Sequence, residues 1–153
     1  DRYSRVLRRL AVPYRVDASG RASRSELPLA GLSAASGVVA SARDLAQFDR
    51  ALGDGLLLAL DTRTIAWSPA GAMPTGLGWF VQTYDAPAGP ERLVWHFGLA
   101  PDAYSSLILK VPGRRLTLIL LANSDGLSAP YALSDGDVTT SHFARTFLQL
   151  FIG

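Results

Sequence analysis

The chain has 153 residues, 48% of them hydrophobic, and fifteen basic side chains against thirteen acidic ones leave a net charge of +2. That length matches one globular domain able to bury a core, and the slight basic excess, almost all arginine because Lys110 is the only lysine, is too weak to argue for a nucleic-acid partner. The absence of cysteine excludes disulfides, thiolate metal sites and a Cys nucleophile, and the longest apolar run, Leu116 to Ala122 broken by Thr117, is far shorter than the ~20 residues of a membrane span.

The chain opens on Asp1-Arg2-Tyr3 with neither Met nor a signal segment, which reads as a processed end or the boundary of a larger protein. From Asp1 to Leu10, apolar Tyr3, Val6, Leu7 and Leu10 recur at spacings of three and four, the pattern of a short amphipathic helix that Pro13 ends. Arg2, Arg5, Arg8 and Arg9 fall on one face of it, either a patch for an acidic partner or a solvated face, and the solvated face is the commoner use. Residues 14–31 mix Asp, Ser, Gly and Pro without periodicity and read as a surface loop with a tight turn at Ala18-Ser19-Gly20-Arg21.

A small-residue run, Ser33 to Ala40, leads into Ser41-Ala42-Arg43-Asp44, a capping box in which Ser41 caps the first turn and Asp44 reaches back. Leu45, Phe48, Ala51 and Leu52 continue as an apolar stripe to Gly53, so a helix is expected over 41–52. Asp61 reads as a second cap, opening a short helix through Trp67 that stops before Pro69. From Gly76 the period changes to two, and strands are expected at 77–84, 91–97, 103–111 and 115–122. Pro87-Ala88-Gly89-Pro90 and Pro112-Gly113 punctuate them, and the short second connection makes the sheet antiparallel. Residues 128–137 read as loop, and a closing helix over 137–151 shows Phe143, Phe147, Leu148 and Phe151 on one side. The fold class is α+β: an antiparallel sheet flanked by helices.

Chemistry is sparse. His96 and His142 lie on different elements with no second ligand at metal spacing, so no metal site is expected. Gly76-Leu77-Gly78 leads into Trp79 rather than a helix, which rules out a phosphate loop, and Gly31-Leu32-Ser33-Ala34-Ala35 fails the last position of a nucleophile elbow. His96, between Trp95 and Phe97, is either a rim histidine held by a backbone group or the centre of a site.

An ordered set of short segments nevertheless resembles the C-terminal half of the serine β-lactamase family, on the side that includes class C β-lactamases, D,D-peptidases and esterases. The segments are Ala35 to Phe48, Gly76-Leu77-Gly78-Trp79, His96-Phe97-Gly98, Tyr104-Ser105-Ser106, Val111-Pro112-Gly113 and Leu120-Leu121-Ala122-Asn123. The resemblance implies a penicillin-recognising fold and acyl-enzyme chemistry on an ester, amide or β-lactam, with no metal or organic cofactor. It matches His96-Phe97-Gly98 to the family's K-T-G or H-T-G triplet, with His96 beside the acyl centre, Gly98 admitting close backbone approach and the Leu99 amide as an oxyanion donor.

The chain departs from the pattern in holding neither S-x-x-K nor Y-x-N. Lys110 follows Leu107 by three, Asn123 follows Leu121 by two, and Tyr104-Ser105-Ser106 lies where the family has a strand, so it reads as strand packing. Phe97 in place of Thr removes a hydroxyl used toward a substrate carboxylate, which favours an ester or amide over a β-lactam. The expectation is therefore a C-terminal piece of a serine hydrolase whose nucleophile lies upstream of Asp1, inactive alone. The alternative is a non-catalytic binding or regulatory module on the same scaffold. The last strand should present a bare edge to the N-terminal part or to a second copy of the chain, so self-association is expected on sizing. Relatives are often exported, which implies a periplasmic, envelope or extracellular place. His142 reads as structural, Trp79 as a packing anchor, and Trp95 is left open between packing and substrate contact.

Overall fold

The computed structural model describes residues 2–26, 37–71 and 74–153. The part of the small-residue run from Ser33 to Ser36 and the end of the loop expected to Gly31 lie outside the described residues, as does Asp1. Helix α1 spans Arg2–Leu7. Val6 on it is exposed, and so are Arg5, Arg8 and Arg9, which form a solvated face.

The segment expected as loop contains a hairpin instead, β1 (Tyr14–Val16) paired with β2 (Ala22–Arg24). Its turn is tied by the Asp17 carboxylate, which accepts the Ser19 and Arg21 amides at 2.9 and 3.0 Å, and Gly20 supplies a φ of +81°. Every residue of both strands is exposed, so no alternation existed to announce them.

Helix α2 (Ala42–Gly53) starts with the expected capping box. Ser41 Oγ accepts the Asp44 amide at 3.2 Å, and the Asp44 carboxylate accepts the Ser41 amide at 2.9 Å. Helix α3 (Leu60–Ala66) begins before Asp61, so Asp61 is not its cap; Ala59 holds that position without a side-chain bond, and Asp61 sits in the first turn accepting the Thr62 amide.

Four strands, β3 (Phe80–Ala86), β4 (Gly89–Ala100), β5 (Tyr104–Val111) and β6 (Leu116–Ala122), form an antiparallel sheet in the order β3-β4-β5-β6. The fold is α+β as expected. The sheet starts later than the periodicity indicated, however: Gly76 to Trp79 is a turn, closed by Gly76 N–H to Trp79 O at 2.7 Å with Gly78 at φ +74°, where alternating Leu77 and Trp79 imitate a strand. Register is fixed by the short connections, Ala86 opposite Gly89, Ala100 opposite Tyr104 and Val111 opposite Leu116.

The two faces divide the core. Leu93, Trp95, Leu107, Leu109 and Val111 pack under α4 (His142–Phe151), whose buried side is Ala144, Phe147 and Leu148. Phe151, expected on that side, is 60% exposed, and Phe143 is 38% exposed beside Tyr131. The helix is also shorter than expected, because 138–140 is a 3-10 turn capped by Asp137 and Ser141 then caps α4. On the opposite face Val94 packs with Leu52, Ala66 and Trp67 of the α2–α3 layer.

Asp137 joins the layers. Its carboxylate accepts the Gln82 side-chain amide at 2.7 Å, the Thr139 hydroxyl at 2.7 Å and the Thr139 amide at 2.9 Å, while Gln82 accepts the Val138 amide at 3.0 Å. Partial burial pushes this carboxyl up, but the bonds from Thr139 and Gln82 outweigh it and hold the pKa below the ordinary 3.8. A depressed folded pKa stabilises above the unfolded value and is lost as pH falls through the folded one. Asp137→Asn is therefore expected to cost about 1 kcal/mol at neutral pH, after allowance for solvent screening. The loss should shrink as pH drops below 3.8, which urea titrations of both proteins at several pH values will measure.

Candidate functional site

The segment from His96 to Ala100 is the end of β4 that outruns its neighbour. The β3–β4 pairing ends at Phe80 opposite Trp95, whereas β5 continues along β4 to Tyr104 opposite Ala100. Among the described residues, one edge of 96–100 has no strand beside it.

Which backbone groups face that edge follows from a buried serine. Ser128 is 2% exposed, and its hydroxyl lies 3.0 Å from Gly98 O and 3.5 Å from Ser106 O. Gly98 and Ser106 are register partners. One hydroxyl reaches both carbonyls only where they point toward each other's strand, so this is the pair that exchanges both backbone bonds. Its neighbours on β4, Phe97 and Leu99, then turn their N–H and C=O groups to the open edge. Two outward contacts elsewhere fit the same parity, Val81 N–H to Pro74 O and Tyr14 N–H to Asn123 O, both at 2.7 Å.

His96 stands beside that edge on the α2 side of the sheet and is exposed. Its Nδ1 lies 2.8 Å from Phe97 O. A carbonyl oxygen only accepts, so Nδ1 carries the proton and donates, and Nε2 of the neutral ring is left as an acceptor. The ring borders a shallow cleft of about 170 Å³ whose other walls include Leu45 and Phe48 of α2, Trp79, Ile108 and Leu121. No cationic side chain lines it.

The triplet's other members fall differently. Phe97 packs its ring with Trp95 and Phe80, centroids 6.2 and 6.0 Å away, against the core beneath α4, so its side chain leaves the His96 face by strand alternation. Gly98 lies against Ser106: a Cβ there would fall 2.5 Å from Ser106 Oγ, so a larger residue would make that hydroxyl turn aside. The Leu99 side chain is partly exposed at 45%.

Tyr104-Ser105-Ser106 opens β5. The Tyr104 hydroxyl donates to Ala11 O at 2.5 Å, and burial pushes its pKa up, away from a role as a base. Ser105 donates to Ser124 O at 2.7 Å and accepts the Leu127 amide at 3.0 Å. Both are strand-end fasteners, as packing required. Trp95 is fully buried, which settles it as core; Trp79 anchors edge-on to Trp67, centroids 6.4 Å apart, while also walling the cleft. His142 is exposed at the start of α4 beside Phe143. Sequence reasoning missed Ser128, and nothing in the pattern of 128–137 marks it. Among the described residues no three His, Cys, Asp or Glu side chains gather as a metal site, and no helix is long and apolar enough to cross a membrane.

Comparison with known proteins bears on the family and the fold. A family model described as Beta-lactamase matches residues 2–136. Among solved structures, the octameric penicillin-binding protein homologue from Pyrococcus abyssi is similar in fold, with a TM-score of 0.64 at 23% identity over 91% of this chain. The chain spans 30% of that protein's length. No curated protein matches.

Proposed function

Since the chain belongs to the β-lactamase family, we propose that it is the C-terminal part of a serine hydrolase acting through an acyl-enzyme on a neutral ester or amide. The observation that carries the reading is the open edge of β4, to which the Leu99 amide turns and at which His96 bonds Phe97 O through Nδ1, keeping Nε2 as an acceptor. The nucleophile is a serine from a part of the intact protein that precedes Asp1. Its oxygen bonds to the acyl carbon, the carbonyl electrons move onto oxygen, and the Leu99 N–H donates to the resulting oxyanion. The oxyanion electrons then re-form the carbonyl and break the bond to the alcohol or amine, which leaves with the proton that the serine hydroxyl gave up. In the second half, water adds to the acyl carbon, His96 Nε2 takes the water's proton, and the serine oxygen departs carrying one back.

The apolar walls of the cleft and its lack of a cation favour a neutral acyl group over the carboxylate of a β-lactam. By itself the 153-residue chain is inactive for want of the nucleophile. A full-length protein that releases nitrophenol from a nitrophenyl ester, with covalent labelling of one serine by a fluorophosphonate, supports the reading. A full-length protein with neither turnover nor label replaces it with a binding module on the same scaffold.

The partner proposal concerns β6. By the parity above, Thr117, Ile119 and Leu121 turn their backbone groups to the outer edge of the sheet, where among the described residues the hydrogen bonds found are those of Asn123 with Tyr14 and Val12. We assign that edge to a strand from the preceding part of the protein or, in the isolated chain, from a second copy. The isolated chain should then elute as a dimer or larger at high concentration, and a clean monomer removes the second-copy pairing.

A further inference from the structure

A second cleft, of about 620 Å³, opens on the α2 side of the sheet at the opposite end of α2 from His96. Four cationic side chains line it, Arg50, Arg63, Lys110 and Arg115, against two carboxylates, Asp49 and Asp54. Lys110 and Asp49 neutralise each other in an ion pair. Among the described residues no carboxylate pairs with Arg50, Arg63 or Arg115, so the cleft keeps an excess of two positive charges.

Arg63 is held in place there. It donates to the last carbonyls of α2, Leu52 O at 3.2 Å and Gly53 O, and its guanidinium carbon lies 4.9 Å from the Trp67 ring centroid. A guanidinium so fixed loses little freedom when it takes up a ligand. Trp67, 6% exposed, also lines the cleft, with the Arg63 guanidinium over its ring.

We propose that this cleft is a binding site for a phosphate dianion, free or as a phosphomonoester, separate from the hydrolytic edge. Phosphate suits the donor set: guanidinium forks take two of its oxygens at a time, and two negative charges match the excess. The two clefts share no lining residue, so this site is separate in space from the edge at His96.

The test titrates the full-length protein with inorganic phosphate and, in a second arm, phenyl phosphate at constant ionic strength, reading the thermal midpoint and tryptophan fluorescence. Expected is a saturable rise in midpoint with a fluorescence change of matching dissociation constant. Arg50→Ala combined with Arg115→Asn should weaken binding at least tenfold. Alanine suits a helix, and asparagine tolerates the φ of +53° that Arg115 adopts, so the variant should fold. Tighter binding of phenyl phosphate assigns the site to phosphomonoesters, and tighter binding of inorganic phosphate assigns it to the free ion. A rise that never saturates is the general exclusion effect of such salts and overturns the proposal. So does equal binding by the variant.

Discussion

Replacing His96 with alanine in the full-length protein is expected to lower kcat on a nitrophenyl ester by about 10²–10⁴-fold, the usual worth of a positioned proton-transfer group. The exposed ring contributes little packing, so the thermal midpoint should hardly move. That combination separates a chemical role from a structural one. His96→Gln sharpens the test: its amide still reaches toward Phe97 O but cannot exchange a proton near neutral pH, so it should be as slow as alanine. Full activity in both variants would put proton transfer on another residue and reduce His96 to a rim histidine.

A stability loss of about 3 kcal/mol is expected from Asp49→Ala. Lys110 is 5% exposed, held between Asp49 and the Trp67 ring at 5.4 Å. Removing the carboxylate leaves a largely buried ammonium beside the Trp67 ring and the arginines of the cleft, and for a chain of this size the midpoint should fall by roughly 6–12 °C. The double variant Lys110→Met with Asp49→Leu removes both charges and keeps the volume, so it should recover most of the loss. Thermal and urea unfolding of the three proteins will decide. If Asp49→Ala unfolds like the parent, the pair is solvated and Lys110 is not a buried charge.

The parts of this fold that were legible in the sequence are those where one face is dry. Ser105, Leu107 and Leu109 are buried and alternate with half-buried Ser106 and Ile108, which revealed β5, and the capping box of Ser41 and Asp44 marked the start of α2 to the residue. The β1–β2 hairpin escaped because all its side chains are wet, and Leu77 and Trp79 misled because a glycine turn reproduced the alternation of a strand. The triplet around His96 could be named from its residues. That Phe97 would face the other layer was also implicit in the two-residue period. The direction of the Leu99 amide was not, since it depends on register, and register here rests on the Pro101–Ala103 connection and on which carbonyls Ser128 bridges.

The order β3-β4-β5-β6 carries a kinetic consequence. Each strand pairs only with its sequence neighbours through connections as short as Pro87-Ala88, so the sheet assembles from three successive hairpins with little loop entropy to lose. Contacts of such short range form within microseconds to milliseconds, ahead of anything that must reach the outer side of β6 from a distant stretch of polypeptide. Folding of the intact protein is then paced by that last, long-range closure. Until it occurs, the outward amides of Thr117, Ile119 and Leu121 are the stretch from which misassembly would begin.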